Sequence, residues 1–271
     1  MHLALSTSAL TSLALLGIAA ACNIRPDNAQ EEPTELRTLT ETVARNNVDH
    51  LTTRISIGAG KLLVTAGADE LIEADFEYNQ ESWKPEINFQ ANGTEGQLSI
   101  DQPSLTDDFD FNLGGKQRNE WSIRLNDEVS QTLECRMGAG ESELDLRGLT
   151  LRRVDIDAGV GEHEVILANT SLPELTVDVG VGEVTIDLSG TWENHLRAEI
   201  DGGIGELNLK VPTGVGVRLD VSGGLGSVDV PPSYTKEGSD YTNAAYQTAE
   251  YRLEIDVDAG IGSIDVEEAD I

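Results

Sequence analysis

Residues 177–188 read VDVGVGEVTIDL, and this stretch decides the fold. Apolar and polar residues alternate up to Gly180, and the alternation resumes after Gly182. Period-two alternation is typical of a β-strand with one buried face, whereas glycine in a strand interior marks a bend or a close approach of another backbone. The Gly-Val-Gly therefore marks a corner between two strand segments.

The same signature recurs along the chain as G-φ-G, where φ is a small or aliphatic residue. The first glycine stands at positions 58, 138, 159, 180, 203, 224 and 260, so the intervals from 138 onward are 21, 21, 23, 21 and 36 residues. The last interval contains an insertion, residues 231–247. Alternation flanks the glycines on both sides, so each unit offers two short strands joined at G-φ-G.

One such unit is too thin to bury its apolar face, whereas stacked units share a core. The repeat therefore predicts an all-β protein, a right-handed parallel β-solenoid of stacked coils with an irregular amino-terminal cap. Glycine allows the positive φ of a tight corner and leaves room where coils approach. The middle residue of each motif, such as Val181, is expected to point into the stack. The alternative is a series of β-hairpins with bulged bends, although two-residue hairpins prefer Asn-Gly turns.

Stacking in register predicts columns of matching outward residues. Two positions before the first glycine the coils carry Asp157, Asp178, Asp201, Ser222 and Asp258, and glutamate commonly follows the second glycine. Like charges on neighbouring strands repel, so these columns need salt or a bridging cation. Because Ca²⁺ accepts several carboxylate oxygens in loose geometry, the four aspartates are the candidate metal ligands. A solvated acidic face in a saline medium is the alternative.

The net charge of the chain limits the classes of molecule that it can bind. The chain has 271 residues, with 49 acidic against 18 basic side chains and a formal net charge of −31. Binding of nucleic acid depends on basic side chains that displace counterions, so nucleic acid is excluded as a partner. Cations and cationic surfaces suit such a field. Aromatic residues make up 4% and apolar residues 39% of the chain, so the core consists of Val, Ile, Leu and Ala, which suits thin layers.

Residues 1–22 are predicted to be an export signal, because their apolar run is short and poor in bulky residues for a membrane span. The Ala-Ala-Ala-Cys at 19–22 resembles a bacterial lipobox, in which the cysteine is acylated and becomes the first mature residue. We therefore expect an extracytoplasmic lipoprotein that Cys22 holds on a bacterial membrane, in the periplasm or at the cell surface. An ordinary secretory signal is the alternative. Residues 23–46 are predicted to be a flexible acidic tether.

Motifs that carry catalysis are absent from the sequence, and no enzymatic activity is expected. The four histidines lack metal-binding spacing. Cys135 alternates with Leu133 and Met137, which favours burial as a small hydrophobe. The insertion carries three tyrosines on what is either a recognition loop or a plain surface excursion, namely Tyr234, Tyr241 and Tyr246.

Residues 47–130 resemble the amino-terminal region of the toast-rack domain family of bacterial envelope proteins. The segments that carry the resemblance are ISIGAGKLLV at 55–64, ADELIEADFEYN at 68–79 and WKPEI at 83–87. The G-φ-G coils of residues 131–271 are similar to the repeats of the related adhesin and cell-wall-antibiotic-response (LiaF-like) domains. The resemblance implies stacked β-strands and a place at the cell envelope, and it supplies no catalytic residues.

Together these features predict a non-enzymatic envelope lipoprotein, a structural or adhesin-like module whose acidic face binds an envelope protein or cations. Some relatives act in envelope-stress signalling, so an accessory protein of such signalling is the alternative. A carbohydrate-active enzyme is a more distant one, because many glycosidases use paired carboxylates. Four aromatic residues are expected to fill or cap the amino-terminal end, namely Trp83, Phe89, Phe111 and Trp121.

Overall fold

The computed structural model describes residues 35–103, 117–168 and 172–269. Cys22 and Phe111 lie outside these residues, as do the predicted export signal and the first part of the tether. The described elements are fourteen strands and one 3-10 turn at Glu81–Trp83. The strands are β1 (Arg37–Val43), β2 (His50–Ala66), β3 (Ile72–Tyr78), β4 (Glu86–Asn92), β5 (Glu95–Asp101), β6 (Asn119–Leu125), β7 (Ser130–Asp145), β8 (Leu151–Ile166), β9 (Glu174–Asp187), β10 (Leu196–Val211), β11 (Gly216–Asp229), β12 (Thr235–Glu237), β13 (Asp240–Thr242) and β14 (Arg252–Glu268). No helix in these ranges is long and apolar enough to cross a membrane.

Each G-φ-G motif lies inside one long strand. The strands β2, β7, β8, β9, β10, β14 and β11 pair in parallel, glycine opposite glycine, along almost their whole length. The predicted parallel β-solenoid is confirmed, and the parallel pairing contradicts the hairpin alternative. The expectation of two separate strands per unit is wrong, because backbone pairing continues through the glycines.

The long strands bend at the glycines, which we call the crease. The strand β7 has 16 residues, which would span about 50 Å if straight. Only five residues separate it from the start of β8, and they reach at most about 20 Å. Because β8 begins beside the start of β7, the strand must fold back on itself. The segment before the crease is the first arm and the segment after it is the second arm.

The middle residue of the motif points outward, contrary to the sequence-based expectation. In β9 the buried residues before the crease are Leu175, Val177 and Val179, and those after it include Val184 and Ile186. The step from position 179 to 184 is odd, so the alternation changes phase at the bend. Val181 continues the phase of the first arm, but the bend turns it to the convex side, where it is 43% exposed.

The two glycines of each crease are required for different reasons. The second glycine has a positive φ in most coils, for example +146° at Gly182. Residues other than glycine rarely adopt this backbone conformation. Both glycines also face the backbone of the preceding coil. A Cβ on Gly182 would lie 1.8 Å from the carbonyl oxygen of Gly161, and one on Gly180 would lie 2.6 Å from that of Gly159.

The coils do not stack in chain order at either end. The sheet order is β1-β3-β6-β2-β7-β8-β9-β10-β14-β11-β13-β12, with β4 and β5 joined to it through the first arm of β2. The carboxy-terminal strand β14 therefore lies between β10 and β11. The insertion 231–247 contains the hairpin β12–β13, whose strand β13 pairs antiparallel with Arg218–Asp220 of β11.

At the amino-terminal end one coil is split in two. Strand β5 pairs with the first arm of β2 and β6 pairs with its second arm, both in parallel. Side-chain amides replace the missing crease. The Oε1 of Gln102 accepts a hydrogen bond of 2.9 Å from the amide of Gly58, and the Nδ2 of Asn119 donates one of 2.6 Å to the carbonyl of Ala59. The end of the crease column is thereby capped.

The amino-terminal cap contains two of the three tryptophans, whereas Trp192 is buried in the segment between β9 and β10. Trp83 and Trp121 are buried, Phe89 packs against the core, and the rings of Phe76 and Trp121 meet edge to face at 5.3 Å. Their predicted place is confirmed for the described residues. The predicted tether ends earlier than residue 46, because β1 pairs antiparallel with β3. The alternating sequence RTLTETV of this strand is sufficient to extend the sheet by one edge strand.

Candidate interaction surfaces

The four candidate aspartates form one uninterrupted column. Asp157 lies beside Asp178, Asp178 beside Asp201, and Asp201 beside Asp258 in the strand register. Because β14 enters between β10 and β11, Ser222 follows Asp258 at the end of the row. All four side chains are exposed. This aspartate column is therefore more continuous than chain order implies.

The geometry of this column differs from that of a coordination site. Side chains at equivalent positions of parallel strands project side by side, about 4.8 Å apart, and do not converge on one point. In residues 35–103, 117–168 and 172–269, no group of three or more His, Cys, Asp or Glu side chains is arranged to hold a metal ion. Calcium binding by the column stays a prediction.

A glutamate column follows the other side of the crease. Glu141, Glu162, Glu183 and Glu206 are neighbours in the register, and the row ends with serines in β14 and β11. Lys61 of β2 lies between Glu141 and Glu120 of β6 in the register, and its Nζ is 2.5 Å from the Oε2 of Glu141. The Glu141 carboxylate, through its hydrogen bond and its charge, raises the pKa of Lys61. This pair is at one end of the row, where it neutralises only one of the four glutamates.

Three members of the glutamate column, Glu141, Glu162 and Glu183, also line a wider acidic groove. The groove has a volume of about 1020 Å³ and runs from β3 and β6 over the second arms to β14. Its lining contains ten carboxylates, at Asp75, Glu77, Glu120, Glu141, Glu143, Glu162, Glu164, Glu183, Asp265 and Glu267, and the cations of Lys61, Arg118 and Lys210. The one aromatic residue of the lining, Trp121, is 2% exposed. The groove therefore offers charge and no aromatic platform for a sugar ring.

A buried histidine lies beneath this surface. His163 occupies an inward position in the row that Leu62, Val184 and Leu207 fill with aliphatic side chains. It is 3% exposed, its Nδ1 lies 2.8 Å from the Oγ of Ser142, and its Nε2 has no hydrogen-bond partner. Burial lowers the pKa of His163. Sequence spacing gave no sign of this pair, because Ser142 and His163 lie one coil apart.

This pair makes folding depend on pH. Below pH 6.5 the unfolded chain binds a proton on His163 that the folded protein binds less readily, so stability falls as the pH falls. We expect the double substitution Ser142→Ala and His163→Val to make the loss of unfolding free energy between pH 7.5 and pH 5 smaller than in the wild type, because the group with the lowered pKa is gone. Urea unfolding at the two pH values measures the difference. His195→Gln is the control, since His195 is exposed, and equal losses in the double variant and the wild type would contradict the expectation.

The three tyrosines of the insertion do not form one cluster. Tyr241 accepts a 2.6 Å hydrogen bond from the Nζ of Lys236, whereas Tyr246 donates one of 3.1 Å to Glu254 of β14. The hydroxyl of Tyr234 is buried without a hydrogen-bond partner, and burial raises its pKa. At least two of the three side chains hold the insertion in place, and recognition by this loop stays a prediction.

Cys135 is buried, as its position in the alternation predicts. Burial raises the pKa of its thiol to about 12. A thiolate is the reactive form of cysteine, so this side chain is inert at neutral pH and serves as part of the core.

A row of exposed apolar side chains, which the sequence-based expectations did not include, lies on the convex side of the crease. Its described members are Val160, Val181, Ile204, Ile261 and Leu225, which are 53%, 43%, 53%, 52% and 78% exposed. They make up five of the eight large apolar residues that are exposed in the described part of the chain. The signal was the odd step in residue number between the last buried residue before the crease and the first one after it, such as Val179 and Val184, since it places the middle residue on the outside. We call these five residues the aliphatic ridge.

Several solved structures are similar to this chain. A crystal structure of a "putative cell adhesion protein" from Clostridium sporogenes is 28% identical and superposes with a TM-score of 0.67, over 87% of this chain and all of that one. A "putative adhesin" from Bacteroides fragilis is 13% identical with a TM-score of 0.33, over 86% of this chain and 97% of that one. A "putative lipid binding protein" from Parabacteroides distasonis is 15% identical with a TM-score of 0.37, over 86% and 96%. No curated protein matches the chain.

A family profile matches more than half of the chain. The sequence profile described as the N-terminal domain of toast_rack, DUF2154, matches residues 31–173 and 164–210. These ranges contain the split amino-terminal coil, the crease of β2 and the coils up to β10. The resemblance seen in the sequence is confirmed, and the chain belongs to the toast-rack family.

Proposed function

We propose that this protein is a non-enzymatic, adhesin-like module of the bacterial envelope, which a lipid on Cys22 holds at an extracytoplasmic membrane surface. The observation that carries the proposal is the outer surface of the coils, where the aliphatic ridge and two acidic columns repeat from coil to coil. Repeated, rigid, outward-facing side chains suit the binding of a macromolecule. The likeness to the Clostridium sporogenes protein supports the same reading.

The acidic columns have a second role in this proposal. Carboxylates at strand spacing repel one another, and cations that gather along the columns lower that repulsion. Diffuse accumulation fits the straight rows better than a single coordination site does. Calcium at the aspartate column is one form of this proposal, and it would make the surface sensitive to the divalent cations of the medium.

The proposal is tested by lipidation and by adhesion of the same protein. We expect palmitate supplied to expressing bacteria to label the full chain, and Cys22→Ser to abolish the label, because acylation requires that thiol. Beads coated with the purified chain are then expected to bind bacterial envelope fragments, whereas beads coated with the heat-unfolded chain do not. Label that persists in Cys22→Ser contradicts the anchor. Equal capture by folded and unfolded chains contradicts the adhesin-like role.

A further inference from the structure

The aliphatic ridge is a straight row of unpartnered apolar side chains. In spatial order its members are Val160, Val181, Ile204, Ile261 and Leu225, and each is the register neighbour of the next. The row spans four strand spacings, about 19 Å. Toward the covered amino-terminal end the same column continues as Ala139 and Ala59, so the side chains grow larger with distance from the cap.

The fold itself does not require this apolar row. An outward position on a strand accepts threonine or serine at little cost. Because the ridge side chains remain in water in the free protein, they add no hydrophobic stabilisation to the fold. Contiguous exposed apolar surface of this kind marks an interaction site. Glycines flank every member of the ridge, for example Gly203 and Gly205 beside Ile204, so a shallow furrow without side chains runs along each side.

Carboxylates border both furrows. The aspartate column, Asp157 to Asp258, lies on the first-arm side, and the glutamate column, Glu141 to Glu206, lies on the second-arm side. Within the described residues no carboxylate of the aspartate column has an ion pair. Lys61 pairs with Glu141 at one end of the glutamate column, and Arg136 is the register neighbour of Asp157 at the same end of the aspartate column. The apolar strip otherwise lies between two rows of carboxylates, which favours a partner with an apolar stripe between two basic rows.

We propose that the aliphatic ridge and its two acidic borders form a docking surface for an amphipathic helix of another protein, with lysine or arginine on both sides of its apolar stripe. Two apolar rows of the helix enter the glycine furrows and straddle the ridge, in the manner of ridges packing into grooves. The basic side chains then reach the carboxylates. A ridge of about 19 Å accommodates about 13 helical residues.

Charge selects this partner over two others. A second copy of the chain would bring its own carboxylates against the same columns, and like charges in juxtaposition disfavour the pairing. An anionic membrane is repelled for the same reason. This inference rests on the proposed function only in assuming that the outer surface of the coils is the one that binds.

The test measures the binding of a synthetic helical peptide to the purified full chain. The probe is a 14-residue peptide, about four helical turns, with leucine at positions a and d and lysine at e and g of its heptads, labelled for fluorescence anisotropy. We expect Ile204→Thr with Ile261→Thr to weaken binding at least tenfold, because the ridge side chains that pack between the two apolar rows of the helix are lost. Threonine keeps the β-branched shape that strands favour, so the thermal midpoint is expected to stay unchanged.

Matched variants distinguish specific binding at the ridge from nonspecific hydrophobic binding and from nonspecific electrostatic attraction. Leu36→Thr and Leu63→Thr remove exposed leucines elsewhere on the described surface and are expected to leave binding unchanged. Asp178→Asn with Asp201→Asn is expected to weaken binding at least threefold and to reduce its dependence on salt. A scrambled peptide of the same composition is expected to bind at least tenfold more weakly.

Four results overturn the inference. They are the absence of peptide binding, equal binding by the ridge variant, equal binding of the scrambled peptide, and a ridge that mediates self-association or vesicle binding in place of peptide binding. Failure of palmitate labelling or of bead adhesion would count against the proposed function and would leave the peptide result intact, so the two failures are distinguishable.

Discussion

Gly182→Ala is expected to lower the free energy of unfolding by more than about 3 kcal/mol. The added Cβ would lie 1.8 Å from the carbonyl oxygen of Gly161, far inside contact distance. The φ of +146° at this position is also unfavourable for alanine. Both penalties fall at the centre of the stack, where β8, β9 and β10 constrain one another, so the backbone cannot relax by moving one coil alone.

Gly202→Ala is the matched control and is expected to act in the opposite direction. A Cβ on Gly202 has no atom within 4 Å, and its φ is not in the positive range. The equivalent inward position is Val179 in β9 and Ala259 in β14, so the coil leaves space there. Alanine reduces the freedom of the unfolded chain, and we expect stabilisation by about 0.5–1 kcal/mol.

Urea unfolding monitored by circular dichroism measures both variants. The two substitutions are chemically identical and lie one coil apart, so a difference in sign reports only the local backbone. A loss of less than about 1 kcal/mol for Gly182→Ala would contradict the close approach of the crease backbones. Destabilisation by Gly202→Ala would show that the space beside it is already filled.

Removal of residues 252–271 is expected to release β11 and its hairpin from the stack. The strand β14 pairs with β10 on one side and with β11 on the other, along both arms. The other pairing of β11 is confined to Arg218–Asp220, which bind β13. We expect the backbone amides of residues 216–229 to lose their protection from hydrogen exchange, while β7 and β8 keep theirs, because each coil depends mainly on its neighbours.

Direct pairing of β11 with β10 would rescue the truncated chain, but the creases differ. Gly205 and Gly262 have φ values of +152° and +156°, whereas β11 has positive φ at Gly223 and Gly224, near +80°. The crease of β14 therefore matches that of β10, whereas β11 pairs with β14 although its own crease differs. Preserved protection of residues 216–229 after truncation would mean that this mismatch is easily accommodated.

A peptide of residues 252–268 is expected to restore the protection when it is added in excess. The control peptide carries Gly262→Ala, whose Cβ would lie 1.7 Å from the carbonyl oxygen of Gly205, and it is expected to restore less. Mass spectrometry of the exchanged protein resolves the two outcomes. Equal rescue by both peptides would show that binding between β10 and β11 does not depend on the geometry of the crease.

Much of the fold could be predicted from the sequence, because alternation and a fixed period are local properties. The parallel solenoid, the registered aspartates and the burial of Cys135 follow from them. The orientation of Val181 was also encoded in the sequence, in the odd step from Val179 to Val184. The expectation of two strands joined at a simple corner did not include this change in the phase of the alternation. The expectation that Val181 points inward was wrong for this reason.

The sequence by itself determined that each coil bends at a Gly-φ-Gly and that like residues stand in columns, since both depend on side-chain size and spacing. Only the tertiary structure decided which coils are neighbours. All coils have the same sequence pattern. The local sequence therefore does not determine that Asp258 lies beside Asp201 and that Ser222 lies at the end of the column. The place of β14 depends on the hairpin that returns the chain and on contacts between coils far apart in sequence, and these exist only once the stack has formed.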